Sequence, residues 1–122
     1  MTGINYVVDT NCFIYLLNRH PALIQFLKSK WAYSYITEIE LLCKKDLTKD
    51  EDFLIREMLN TCFKVNHNQA ISELTIQIRR DYKLKIPDAI VAATANLLQL
   101  PLITADKSFT RVKTIDCILI EV

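Results

Sequence analysis

Glycine is nearly absent from this chain: one residue in 122, alongside three prolines. That scarcity excludes collagen-like, low-complexity and linker segments, and no internal repeat is present. Histidine is scarce as well, with two in the chain, and the four cysteines contain no Cys-x-x-Cys pair. His20 and His67 lie beside none of Cys12, Cys43, Cys62 and Cys117, so a zinc site is not expected. Each cysteine stands among apolar neighbours and reads as a small buried hydrophobe, reduced, in a cytoplasmic setting. No apolar run reaches the roughly eighteen residues of a membrane span, and no basic segment precedes a long apolar one. Neither a span nor a signal peptide is expected. An excess of one charge is also missing: 15 basic residues face 14 acidic ones. A polyanion partner must then be held by a local basic patch rather than by net charge.

What remains is an ordinary globular composition, 51% hydrophobic and 24% charged, in a length that suits one domain spanning 1–122. Ile4 to Val8 reads as a short strand with a buried β-branched end, and helical spacing begins at Cys12. Pro21 suits the first turn of a second helix carrying Leu23, Ile24 and Leu27. Trp31 to Ile36 is aromatic and β-branched, a strand by preference. Thr37 is expected to open a helix with Ile39, Leu41, Leu42 and Leu47 as apolar positions. Thr48 opens another with Phe53, Leu54, Met58 and Leu59. Cys62 to Val65 reads as a strand, and Asn66 or Asn68 caps a helix in which Ile71, Leu74, Ile78 and Tyr82 recur. After a connection from Lys83 to Ile86, Pro87 starts an apolar helix over 88–100 whose Ala89, Ala92, Ala93 and Ala95 permit close packing on a sheet. Leu102 and Ile103 form a strand that ends at Thr104-Ala105-Asp106, and Cys117 to Ile120 is the last strand. Strands alternating with helices imply a mostly parallel sheet covered on both faces.

Four acids stand at the edges of these apolar segments: Asp9, Glu40, Asp88 and Asp106. In open α/β sheets, ligands bind outside the carboxyl ends of the strands. Each acid also has a plain structural reading. Asp9 suits a helix N-cap. Glu40 completes Thr37-x-x-Glu40, a capping box, as Glu51 completes Thr48-x-x-Glu51. Asp88 suits the positive end of a helix dipole, and Asp106 suits a turn. Glu51, away from any strand end, is structural. If the other four converge, two carboxylates about 5 Å apart repel by roughly 3 kcal/mol at an effective dielectric near 20. Such a cluster takes up protons or binds a cation, and all-oxygen ligands favour Mg²⁺ or Mn²⁺. The chemistry of such a centre is Lewis-acid and water-activating, typically on phosphate esters.

These residues carry a resemblance. Asp9-Thr10-Asn11 after a strand, Thr37-x-x-Glu40, Ile86-Pro87-Asp88-Ala89-Ile90-Val91-Ala92-Ala93-Thr94-Ala95 and Leu102-Ile103-Thr104-Ala105-Asp106-Lys107-Ser108-Phe109 resemble the PIN-domain nucleases. Within them the pattern is most similar to the VapC-like toxins of bacterial toxin–antitoxin pairs, over nearly the whole chain. The resemblance implies a three-layer α/β/α sandwich with a parallel sheet of about five strands. It implies that Asp9, Glu40, Asp88 and Asp106 are the catalytic acids and hold Mg²⁺ or Mn²⁺ for hydrolysis of single-stranded RNA. Asn11 and Thr104 match positions that support the acids by hydrogen bonds. The resemblance further implies a homodimer inhibited by a small antitoxin whose tail enters the acidic groove. Some relatives carry another acid soon after the fourth; here the nearest is Asp116, before the final strand, and it is not assigned to the metal.

Arg79, Arg80, Lys83 and Lys85 ahead of Asp88, and Lys107, Arg111 and Lys113 after Asp106, are the candidates for holding RNA. Their plain reading is solvated surface charge. Two rival classes remain open. A phosphoacceptor receiver-like domain also places acids at strand ends but expects an acidic pair early in the chain, where only Asp9 stands here. A non-catalytic PIN-like scaffold would bind without cutting. A DNA flap nuclease would carry further helical segments.

Overall fold

The computed structural model describes residues 3–122. Its frame is a five-stranded sheet in the order β3-β2-β1-β4-β5, parallel throughout. The strands are β1 (Tyr6–Val8), β2 (Trp31–Ser34), β3 (Phe63–Val65), β4 (Leu102–Thr104) and β5 (Cys117–Leu119). The helices are α1 (Thr10–Leu17), α2 (Tyr35–Leu42), α3 (Lys49–Asn60), α4 (Gln69–Asp81) and α5 (Ile86–Leu98).

The three inner strands, β1, β2 and β4, are buried on both faces, as parallel strands are, while the edge strands β3 and β5 are partly exposed. Val7 and Val8 are both fully buried yet belong to different cores. Successive side chains in a strand point to opposite faces. Val7 and Leu102 therefore pack with Ile71, Ile78 and the alanines of α5, while Val8 and Ile103 pack with Phe13, Leu23 and Trp31. The second core also carries edge-to-face aromatic pairs, Phe13 with Trp31 and with Tyr33. Two cores on two faces make the expected three-layer α/β/α sandwich. Ala89, Ala92, Ala93 and Ala95 are buried, so their small side chains seat α5 on the sheet as the sequence predicts.

Several local expectations need correction. The segment opened by Pro21 is a 3₁₀ turn over Pro21–Phe26, not an α-helix, and His20 Nδ1 caps it by accepting from the Ala22 amide. Ile24 and Leu27 are exposed there, as are Ile39, Phe53 and Leu54 on α2 and α3. Leu47 and Tyr82 lie just outside their helices but still pack against the cores. The α5 helix starts at Ile86 and ends at Leu98 rather than Leu100. Cys12 is buried, but Cys43 is exposed and Cys62 and Cys117 are half-buried; all four are free thiols.

The largest correction concerns α2. The β2 strand stops at Ser34, and Ser34 itself is the N-cap, accepting from the Ile36 amide. Thr37 is therefore inside the helix and fully buried, not its cap. By contrast, the Thr48–Glu51 capping box is formed in both directions, at 3.1 and 3.0 Å. Asn68, not Asn66, caps α4.

Candidate active site

The chain runs outward from β1 through β2 to β3, then crosses back to β4 on the other side of β1, so the strand order reverses between β1 and β4. The crevice outside such a reversal is where open α/β folds take ligands. Asp9 stands at this point. Its amide donates to Ile103 O at 3.0 Å and extends the β1–β4 ladder by one rung. It is also the N-cap of α1, with Oδ1 accepting from the Thr10 amide at 2.8 Å. The cap reading holds, and it does not use the whole carboxylate: one oxygen closes the helix, and the other accepts from Thr104 Oγ1 at 2.9 Å.

Thr104 is fully buried and works in both directions, since its hydroxyl also accepts from the Asp106 amide at 3.0 Å. It ties the acid after β1 to the acid after β4. Asp106 is exposed and pinned by Ser108, whose amide and hydroxyl both donate to Oδ1, at 2.9 and 2.8 Å. Asp88 is half-buried in the first turn of α5, which no side chain caps.

Glu40 comes to the same crevice from α2. Because Thr37 does not cap α2, the Glu40 side chain is not folded back on its own helix; Oε1 accepts from Thr10 Oγ1 at 2.7 Å. Asn11, expected to support the acids, is exposed and makes no such bond among the described residues. Thr10, one position earlier, does this instead. Its signal was present in the sequence as the middle residue of Asp9-Thr10-Asn11, but which hydroxyl turns inward depends on the phase of α1.

The electrostatics report the convergence. Asp9 is pushed up to about 6, mainly by burial and further by Asp88 and Asp106, against the lowering effect of its hydrogen bonds from Thr104 and Thr10. Asp88 is raised as well, by burial first and then by Asp106 and Glu40, with Lys85 opposing. Asp88 and Asp106 thus act on Asp9, and Asp106 and Glu40 on Asp88, although among the described residues no three His, Cys, Asp or Glu side chains share one coordination sphere. Oxygen donors that repel across a partly buried gap fit a hard cation. Mg²⁺ in particular keeps several waters and is held by one or two carboxylates.

Other nucleophiles do not compete. The Cys12 thiol is pushed up to about 12 by burial and by Asp9, and it donates toward Ile103 O. The basic candidates Arg79, Arg80, Lys83, Lys85, Lys107, Arg111 and Lys113 are all exposed, and none is in an ion pair among the described residues. Arg79 Nη1 donates to Leu84 O, which fixes it beside Arg80 on a groove of about 530 Å³ lined also by Tyr35, His67, Ile76 and Ile86. A second groove, about 300 Å³, runs between α1, α2 and α3 past Ile14, Leu17, Leu47 and Leu54, with Glu40 on its wall.

A parallel α/β sandwich with a buried acid after its first strand, bonded to a threonine at the end of the fourth strand, defines a class of α/β domains with a polar crevice at the strand ends. The chain belongs to the PIN domain family, whose profile it matches over residues 6–115. No curated protein sequence matches the chain. Among solved structures it is similar to a chain of a toxin–antitoxin complex from Klebsiella pneumoniae, at 34% identity and TM-score 0.79, covering 91% of this chain and 95% of that one. It shares its fold with chains of VapBC-1 from nontypeable Haemophilus influenzae (TM-score 0.81, 21% identity, 95% and 98% covered) and of DNA-bound VapBC from Salmonella typhimurium (0.80, 19%, 94% and 97%).

Proposed function

We propose that this PIN domain is a metal-dependent endoribonuclease that hydrolyses phosphodiester bonds of single-stranded RNA, and that it is the toxin of a toxin–antitoxin pair. The observation that supports the reading is that Thr104 bonds the Asp9 carboxylate and the Asp106 amide, that Thr10 bonds Asp9 and Glu40, and that Asp88 and Asp106 help to push Asp9 up to about 6. Two side chains 95 residues apart in order, Asp9 and Thr104, are bonded there. A fold does not need such a cluster for stability; like charges weaken it.

Mg²⁺ or Mn²⁺ held among these acids would supply Lewis-acid and water-activating chemistry on a phosphate ester. Asp9 and Asp88, the two acids raised by burial and by their neighbours, would hold it, with Glu40 and Asp106 contributing beside them. Thr104 and the Thr10 amide fix Asp9, and Ser108 fixes Asp106, so the carboxylates are oriented before any ligand arrives. Such preorganisation is what electrostatic catalysis requires.

The exposed cations flanking Asp88 and Asp106 suit a phosphate backbone, which a near-neutral chain must attract locally. The α1–α2–α3 groove is lined by aliphatic side chains, among them the exposed Leu17 and Leu54, with Glu40, Lys44 and Glu51 on its wall. That supports a small antitoxin laid along it with a tail at the acids. The exposed Ile76 and Ile86 beside Arg79 and Arg80 support a homodimer, and a cytoplasmic RNA target agrees with the four free thiols. The test is cleavage of single-stranded RNA by purified protein freed of antitoxin, with Mn²⁺ and with EDTA. Cleavage in Mn²⁺ alone is expected; equal cleavage in both overturns the metal mechanism.

A further inference from the structure

We propose that Thr37 is a positioning residue: its buried hydroxyl, acting through Thr10, aims the Glu40 carboxylate into the acidic crevice. The inference rests on the nuclease reading above and goes beyond the four acids to what orients one of them.

Proton counting gives the chain its direction. Thr10 Oγ1 lies 2.7 Å from Glu40 Oε1 and 3.0 Å from Thr37 Oγ1. A hydroxyl has one proton to donate, and an ionised carboxylate only accepts. The Thr10 proton therefore goes to Glu40, and Thr37 must donate to Thr10. The order is Thr37 to Thr10 to Glu40, and it engages the Thr10 proton and one of the oxygen's two acceptor positions. With that oxygen held from below, its hydroxyl is locked toward Glu40.

Two other buried or half-buried helical threonines serve as internal controls. Thr75 and Thr94 return their hydroxyl protons to their own helices, at Ile71 O and Ile90 O, 2.7 and 2.8 Å away. Thr37, fully buried, instead reaches across to α1. Thr37 and Glu40 are three residues apart on α2 and so share a helix face. Both meet the same Thr10 atom. Thr10 in turn holds Asp9 through its amide at 2.8 Å. One residue thus couples two acids from different elements, and the hydroxyl behind it touches no acid.

The experiment compares Thr37→Val, which keeps the shape and removes the hydroxyl, with Thr37→Ser, which keeps the hydroxyl. Mn²⁺ binding is measured by calorimetry with the metal alone, and the Glu40 side-chain carboxyl carbon is followed by ¹³C NMR in metal-free protein. Thr37→Val is expected to weaken Mn²⁺ about tenfold, within the roughly 10–100-fold span seen when a residue behind a ligand is lost. It is also expected to move the Glu40 resonance, while Thr37→Ser does neither. In a Glu40→Gln background the Thr37→Val loss should vanish, because it acts through Glu40; an additive loss marks general structural damage and overturns the proposal. Unchanged Mn²⁺ affinity and an unmoved Glu40 resonance in folded Thr37→Val also overturn it. If valine prevents folding, Thr37→Ala against Thr37→Ser carries the same comparison. A wild-type protein that binds no Mn²⁺ refutes the metal reading alone, and the metal-free Glu40 resonance then decides the positioning role by itself.

Discussion

The chain contains the pattern Thr-x-x-Glu twice on neighbouring helices, and the two copies do opposite things. At Thr48–Glu51 both side chains return to the backbone at the start of α3, on the exposed surface. At Thr37–Glu40 neither does: the threonine is buried, and the glutamate is drawn across to Thr10. The difference is where each helix starts. Ser34 takes the cap of α2 three residues early, because β2 runs straight into the helix, whereas a loop precedes Thr48 and leaves it free to cap. A capping box is worth its hydrogen bonds only when the threonine is the cap residue. Placed one turn further in, the same two side chains lie on a face that can be turned to a site.

The two regions also respond to pH with opposite sign. Glu51 is held below the usual carboxylate range by the Thr48 amide and hydroxyl, so its contribution is present above its ordinary value and lost as pH falls through the lowered one. Asp9 is raised to about 6, so between about 4 and 6 the folded protein binds a proton that the unfolded chain does not. Metal-free stability therefore falls as pH rises through that window.

The sharpest way to break the comparison is Asp9→Asn. It should abolish RNA cleavage while raising the metal-free melting temperature at pH 7 by about 3–5 °C, roughly 1 kcal/mol, because it removes a buried charge from among like charges. A lower melting temperature for the metal-free variant would mean that the hydrogen bond from Thr104, which the asparagine NH₂ cannot accept while its oxygen keeps the cap, outweighs the relief of charge. Next, Glu40→Gln should cut cleavage by about 10–100-fold and scarcely move stability. Loss of activity on Glu51→Gln instead would reverse the assignment of the two glutamates. Third, chemical denaturation of the metal-free protein from pH 7 to pH 4 should reveal a stability gain attributable to Asp9 of at most about 3 kcal/mol, absent in Asp9→Asn. Fourth, Thr48→Ala should cost about 1 kcal/mol in thermal or urea unfolding and leave cleavage intact. Smallest of all, Glu51→Gln should barely change the melting temperature, since glutamine also completes a capping box.

Much of the frame was legible in order. Alternation of β-branched runs with helical spacing announces a parallel sheet covered on both faces, and the alanines of α5 announce its close seating. The four acids were visible at segment edges. Less visible was which threonine would support them. Thr104 stands next to the strand end and reads directly, but Asn11 faces solvent and Thr10 takes its place, because α1 begins at Thr10 and its phase turns that hydroxyl inward. On α3, Met58 and Leu59 pack into the core as their spacing predicts, whereas Phe53 and Leu54 are exposed and Ile55 is buried in their place.

Local chemistry alone decides that Asp9 caps a helix, that Thr48 and Glu51 form a box, and that strands and helices alternate, because each depends on neighbours a few residues away. Tertiary structure alone decides that β1 lies between β2 and β4, that Asp9 meets Thr104, and that Glu40 turns to Thr10. Those bonds join residues 30 and 95 positions apart, and which partner a hydroxyl finds at that distance is set by the packing of whole layers, not by the order of residues beside it.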